Sequence, residues 1–237
     1  MENFEDSEDK VQRGLTLPLI SVGLILGYFV SQALSFIIAG QITGREIQEM
    51  SYAAKFISIS ANAFLWIIIS TIIIKILRLP KYDTKKIDEH CKFYIIGVLL
   101  LYTSMYIFSY IALKMGFTPK KQDVAEQVIQ MSETSIFLVI LGPALLIPIV
   151  EELLFRSLLY RSLKFSLSPF LAAIISASLF GFAHIEPDTI PQLITIGLIL
   201  SYVYEKSGSI LVPIALHATN NFVTIMILVY GPKLSGV

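Results

Sequence analysis

Two adjacent carboxylates and an arginine interrupt an apolar run of this sequence, and they are its most chemically suggestive residues. The run extends from Ile147 to Arg156, and its charged members are Glu151, Glu152 and Arg156. In lipid, each charged side chain costs at least a few kcal/mol by insertion scales, so such a cluster predicts a functional site by default. A carboxylate held away from bulk water is a candidate for proton transfer during catalysis.

Helical spacing suggests different roles for the two carboxylates. Glu152 and Arg156 are four residues apart, so they share a helix face and are predicted to pair. Glu151 lies about 100° around the helix from Glu152 and points elsewhere. We therefore expect Glu152 to satisfy Arg156, while Glu151 faces a cavity.

Further polar side chains occur at helical spacing in later apolar segments. Phe180 and His184 are four residues apart, as are His217 and Asn221, with Asn220 beside them. Each taken alone fits a packing residue or a pair that holds two helices together. Polar groups inside a bilayer normally converge on each other or on a water-filled cavity. Their joint presence in the last four apolar segments therefore predicts one shared site.

The candidate residues suffice for acid–base hydrolysis of a peptide bond. Glu151 would take a proton from water, His184 would orient or activate that water, and His217 with Asn221 would donate to the developing oxyanion. Glu151, His184 and His217 would also provide a ligand set known from catalytic zinc sites, with one coordination position open, although no His-Glu-x-x-His motif is present. The single cysteine, Cys91, excludes a disulfide framework and a cysteine-based zinc site.

Composition is typical of a membrane protein. The chain has 237 residues, of which 55% are hydrophobic and only 15% charged, and its mean hydropathy is +0.72. A soluble domain carries roughly 25% charged residues. The formal net charge is zero, so no basic surface for nucleic acid is indicated, and that class of function is set aside.

Apolar segments predict an all-α, polytopic membrane helix bundle of about seven transmembrane helices. A span needs about 20 mostly apolar residues. The segments are residues 17–39, 56–76, 93–113, 135–163, 168–184, 189–204 and 209–230. The first lacks an Ala-x-Ala cleavage site near its end and is interpreted as a retained span rather than a signal peptide.

The chain is predicted to form a single membrane domain with three parts: a polar cytoplasmic tail over residues 1–16, membrane helices and connectors over 17–134, and a catalytic core over 135–230. The polar connector 118–133 fits either a short amphipathic helix on the membrane surface or a hydrated loop. With the N-terminus inside, 12 of the 18 lysines and arginines lie on the inner side, which favours a cytoplasmic N-terminus.

The sequence resembles the CaaX protease and bacteriocin-processing family, also called CPBP or Abi, of intramembrane glutamate endopeptidases. Its three motifs read Glu151-Glu152-x-x-x-Arg156, Phe180-x-x-x-His184 and His217-x-x-x-Asn221. They occur in the family's order, and the resemblance covers roughly residues 135–230. It implies a helix bundle with a cavity that opens toward the cytosol.

The resemblance also implies roles for individual residues. Glu151 would be the water-activating carboxylate and His184 its partner, while His217 and Asn221 would stabilise the oxyanion. The supporting residues would be Glu152, Arg156, Phe180 and Asn220. The resemblance favours catalysis without a cofactor, with zinc as the alternative.

We therefore expect an intramembrane endopeptidase of the bacterial plasma membrane that cleaves a hydrophobic or membrane-associated peptide. Family roles include peptide pheromone or bacteriocin processing and self-immunity. The expected partners are this substrate and the lipid bilayer, without nucleic acid, and the oligomeric state is left open. One alternative is a non-enzymatic immunity or interaction protein on the same scaffold. Another is a transporter or channel that relays protons through the Glu and His residues. It fits poorly with the pairing of Glu152 and Arg156 and with the absence of an internal repeat.

Overall fold

The structure of this chain is a computed structural model, and every regular element that it describes is a helix. The described residues are 2–46, 50–77, 79, 86–116 and 123–235. The α-helices are α1 (Glu2–Thr43), α2 (Tyr52–Ile76), α3 (Ile87–Lys114), α4 (Asp123–Val139), α5 (Ile147–Glu152), α6 (Arg161–Leu163), α7 (Pro169–Ala183), α8 (Ile190–Ser207) and α9 (Leu211–Ser235). The predicted all-α fold class is confirmed.

Within the described residues, five helices are long and apolar enough to cross a membrane. They are Arg13–Thr43, Tyr52–Ile76, Ile87–Lys114, Ser135–Leu163 and Leu211–Gly231. The shorter apolar helix α7 and the helix α8 correspond to the two remaining predicted segments. Many large apolar side chains on these helices are exposed, as expected for surfaces that face lipid. The protein is thus a multi-pass membrane protein.

Two polar stretches of the sequence, before the first and fourth apolar segments, are helical in the structure. The N-terminal tail is already helical from Glu2 and runs without a break into the first span. Of the two readings of the connector 118–133, its described part favours the helix, because α4 begins at Asp123. Val128 and Met131 bury their side chains there, and α4 kinks at Ser135 (φ −161°, ψ 97°). The connection between α2 and α3 lies mostly outside the described residues.

The helical segment that carries the adjacent carboxylates alternates between π-helical and α-helical turns. Two π-helices, Ile140–Leu146 and Leu153–Tyr160, flank the short helix α5. Pro143 lies inside the first and has no N–H to donate, which disfavours regular α-helical hydrogen bonding there. π-Helical turns occur frequently at functional sites. Glu151 and Glu152 are the last residues of α5, directly before the second π-helix.

The first of two compact units comprises residues 1–25, 73–119 and 152–216. Its apolar core joins α3, α8 and the start of α9 through Phe93, Leu101, Ile196, Ile199, Leu200, Val203, Val212 and Leu216. Helices α7 and α8 approach each other closely at Gly197, where a Cβ atom would lie 2.9 Å from the Ala177 Cβ. A glycine is therefore needed at this crossing.

Replacing Gly197 with alanine is expected to destabilise the protein by about 1–3 kcal/mol, because the added methyl group overpacks the crossing of α7 and α8. Gly23 is the matched control, since a Cβ there would meet nothing within 4 Å. Thermal unfolding in detergent measures both variants. Equal stability of Gly197→Ala and Gly23→Ala would show that the crossing tolerates a side chain.

The second unit comprises residues 26–72, 120–151 and 217–237. Its apolar core consists of Phe56, Val128, Met131, Val139, Ala144, Ile225 and Val229. A partly buried polar network also joins α1 to α2. Ser31 donates to the Asn62 Oδ1 at 2.9 Å, and the Asn62 Nδ2 donates to the Gln32 Oε1 at 3.0 Å. Asn62 is thus a buried amide whose oxygen and nitrogen both have partners.

Candidate active site

Glu151 and His217 form the centre of the candidate site, and both belong to the second unit. The Glu151 Oε2 lies 3.7 Å from the His217 Nε2, and the two side chains are only 9% and 5% exposed. Burial strengthens the electrostatic interaction between such groups relative to water. Catalytic contacts are often long before substrate binds, so this distance is compatible with proton transfer. The structure thus brings together two of the predicted catalytic residues, from α5 and α9.

The two asparagines of α9 continue this polar surface. The Asn220 Nδ2 donates to the Asn221 Oδ1 at 3.4 Å, and the Asn221 Nδ2 donates to the Pro143 carbonyl at 3.1 Å. The Pro143 carbonyl belongs to the first π-helix. One N–H of Asn221, the predicted oxyanion donor, is therefore engaged in holding α9 against this segment. The sequence pattern gave no indication of this contact.

Glu152 and Arg156 form the predicted ion pair, within the first unit. The Glu152 Oε1 lies 3.1 Å from the Arg156 Nη1, and both side chains are fully buried. The Arg156 Nη2 also donates to the Gly197 carbonyl at 3.2 Å. Its guanidinium lies 4.6 Å from the centre of the Phe180 ring, within the range of a cation–π contact. The ion pair agrees with the pairing that the spacing of the two residues predicted.

A contact that the sequence analysis missed stabilises the second π-helix. The Ser176 hydroxyl, which is buried in α7, donates to the Phe155 carbonyl at 2.9 Å. This carbonyl directly precedes Arg156 along the chain. Nothing in the sequence distinguishes Ser176 from any other serine in an apolar helix, so only the structure reveals this contact.

His184 lies at the C-terminal end of α7. Ser168 caps the start of the helix by accepting from the Leu171 N–H, and His184 is the residue that ends it. The His184 Nδ1 lies 2.8 Å from the Phe180 carbonyl. Because a carbonyl only accepts, Nδ1 carries the proton of this bond, and Nε2 of the neutral ring is left as an acceptor. His184 belongs to the first unit and is half-buried.

Ile185 follows His184 with an unusual backbone conformation. Its φ is +56°, in the left-handed region that a β-branched residue rarely adopts. Such a conformation costs of order 1–3 kcal/mol and occurs preferentially at functional sites. After Ile185 the chain forms a turn in which the Thr189 N–H donates to the Glu186 carbonyl at 3.0 Å. The strain thus accompanies a candidate catalytic residue.

The residues that the structure describes contain no group of three or more His, Cys, Asp or Glu side chains that could hold a metal ion.

Comparison with known proteins gives one family match and one match to a curated protein. Residues 133–223 match the model of a family described as "Type II CAAX prenyl endopeptidase Rce1-like". A curated protein of Bacillus subtilis (strain 168), "Putative membrane peptidase YdiL", is 31% identical over 90 residues. This alignment covers 38% of the present chain and 37% of the relative's own length. No solved structure matches the chain.

Proposed function

We propose that this chain is an intramembrane glutamate endopeptidase of the CaaX protease and bacteriocin-processing family, because its residues 133–223 match the model of the related prenyl endopeptidases. It would hydrolyse a peptide bond of a hydrophobic or membrane-associated peptide or protein. The observation that carries this proposal is the buried contact between Glu151 and His217 on apolar, membrane-spanning helices. An ionisable pair inside a membrane is energetically costly, so its presence there indicates a functional site.

The reaction begins with a water molecule that gives a proton to the Glu151 carboxylate and attacks the carbonyl carbon of the scissile peptide bond. The carbonyl oxygen becomes an oxyanion, which accepts hydrogen bonds from an N–H of His217 and from the second N–H of the Asn221 amide. When the C–N bond breaks, Glu151 returns its proton to the leaving amine. The products are a carboxylic acid and an amine, and Glu151 is again ionised.

Two supporting groups complete this proposal. His184 keeps the role that the family resemblance implies, as the partner of the glutamate, and its Nε2 is able to accept a hydrogen bond from the attacking water. The buried Glu152–Arg156 pair fixes the helix that follows Glu151. No metal is required for this chemistry, and we propose that the enzyme uses none.

The proposed setting is the plasma membrane of a bacterium, with the N-terminus in the cytoplasm. The excess of lysine and arginine in the segments on that side supports this orientation. The proposed partners are the lipid bilayer and a hydrophobic peptide substrate. This substrate would be the precursor of a peptide pheromone or of a bacteriocin. Self-immunity is a further role of the same family.

Cleavage of a panel of membrane-associated peptides by the purified protein in detergent tests the proposed function. We expect cleavage of at least one peptide, at the same rate with and without a zinc chelator, since the proposed mechanism activates the water without a metal. Loss of cleavage with the chelator, restored by added zinc, would contradict the metal-free mechanism. A protein that cleaves none of the panel, yet protects cells against a bacteriocin, would instead be a non-enzymatic immunity protein.

A further inference from the structure

Asn220 contains a buried hydrogen-bond acceptor that the residues described by the structure leave without a partner. Asn220 is 9% exposed, and its Oδ1 is buried without a hydrogen bond. Its Nδ2 donates to the Asn221 Oδ1, while the Asn221 Nδ2 donates to the Pro143 carbonyl. Rotating the Asn220 amide by half a turn would bring two oxygens face to face. The hydrogen-bond chain therefore fixes Oδ1 as the unsatisfied atom.

An unsatisfied buried acceptor is uncommon, because it loses its bonds to water and gains none in return. The same helix carries His217 three residues earlier, and this spacing separates the two side chains by about 60° around α9. His217 is the residue that contacts Glu151. The side chain of Asn220 thus lies on the face of α9 that presents His217 to Glu151.

We propose that the Asn220 Oδ1 accepts a hydrogen bond from a main-chain N–H of the bound peptide, beside the bond that Glu151 and His217 act on. This inference rests on the proposed function. An amide oxygen only accepts, so the group that completes it must be a donor. A polypeptide that enters an apolar site brings main-chain N–H groups that are costly to leave unpaired. Asn220 would therefore place the scissile bond, in addition to supporting Asn221.

Asn220→Leu tests this role, with Asn62→Leu as the matched control. Both asparagines are buried in the second unit, but the amide oxygen of Asn62 has a partner within the protein. We expect Asn220→Leu to lower the melting temperature less than Asn62→Leu does, because it removes only the long bond to Asn221, while kcat/KM per folded molecule falls about tenfold through the loss of one hydrogen bond to substrate. In Asn62→Leu the melting temperature should fall further, and kcat/KM per folded molecule should be unchanged.

Substrates in which single N–H groups are replaced by ester oxygens identify the partner of Asn220. At one position the replacement should lower wild-type cleavage about tenfold and cause no further loss in Asn220→Leu, because the same bond is already missing.

Two results would overturn the inference while the proposed function stands. One is a wild type and an Asn220→Leu variant that cleave equally well. The other is an Asn220→Leu variant whose loss of activity matches its loss of folded protein, as for a purely structural residue. A wild type that cleaves no peptide would instead remove the proposed function, and the role of Asn220 with it.

Discussion

Replacing Glu151 with glutamine is expected to lower kcat/KM by about 10²–10⁴-fold, the range that general acid–base catalysis contributes. Glutamine has nearly the same size and still reaches His217, 3.7 Å away in the wild type, so the fold should persist. The amide, however, has no basic oxygen to take a proton from water. Peptide cleavage and thermal unfolding, measured on the same preparation, separate the loss of chemistry from the loss of structure.

Glu205→Gln is the control for this change. Glu205 accepts hydrogen bonds from Lys164 at 2.7 Å and from the Tyr160 hydroxyl at 2.9 Å, and the pair with Lys164 is partly exposed. A partly exposed ion pair contributes little, so cleavage should stay near the wild-type rate. If Glu151→Gln also kept its activity, Glu151 would not be the base. Equal losses in both variants would point to general destabilisation.

Replacing Arg156 with methionine is expected to destabilise the protein by about 3–5 kcal/mol, because it leaves a buried charge without its partner. Glu152 and Arg156 are both fully buried, and their charged atoms are 3.1 Å apart. The contacts of Arg156 with the Gly197 carbonyl and the Phe180 ring are lost as well. Thermal or denaturant unfolding in detergent measures the change in the free energy of unfolding.

The double variant Glu152→Leu/Arg156→Met distinguishes the cause of this loss. Removing both charges leaves no buried ion unpaired, and well-packed apolar replacements of such pairs are often neutral. We therefore expect the double variant to recover most of the stability that Arg156→Met loses. A double variant as unstable as the single one would show that the packing of Arg156 on Phe180, rather than the charge of Glu152, dominates.

The sequence by itself determined the helical membrane architecture of this protein. Runs of apolar residues longer than a bilayer is thick form helices because the backbone has no other way to satisfy its hydrogen bonds in lipid. The pairing of Glu152 with Arg156 was predictable for a similar reason, since residues four apart are neighbours on the surface of an α-helix. The family resemblance, carried by three short motifs, was likewise readable without the structure and agrees with the match over residues 133–223.

Helix boundaries were predicted less well where composition is mixed. The tail before the first span and the connector before Ser135 are polar, so hydropathy does not identify them as helices. In the connector, burial of Val128 and Met131 against the rest of the second unit offsets the polar composition. Tertiary packing, rather than local sequence preference, stabilises most helices of this kind.

Only the tertiary structure decided which polar groups meet. The contact of Glu151 with His217 and the bond from Asn221 to the Pro143 carbonyl join segments that are distant in the chain. No spacing rule predicts such contacts, because they depend on how whole helices pack. The π-helices add a second reason: they change the number of residues per turn on both sides of α5, so α-helical spacing predicts side-chain directions over several turns less accurately. The unsatisfied oxygen of Asn220 became visible only once these partners were fixed.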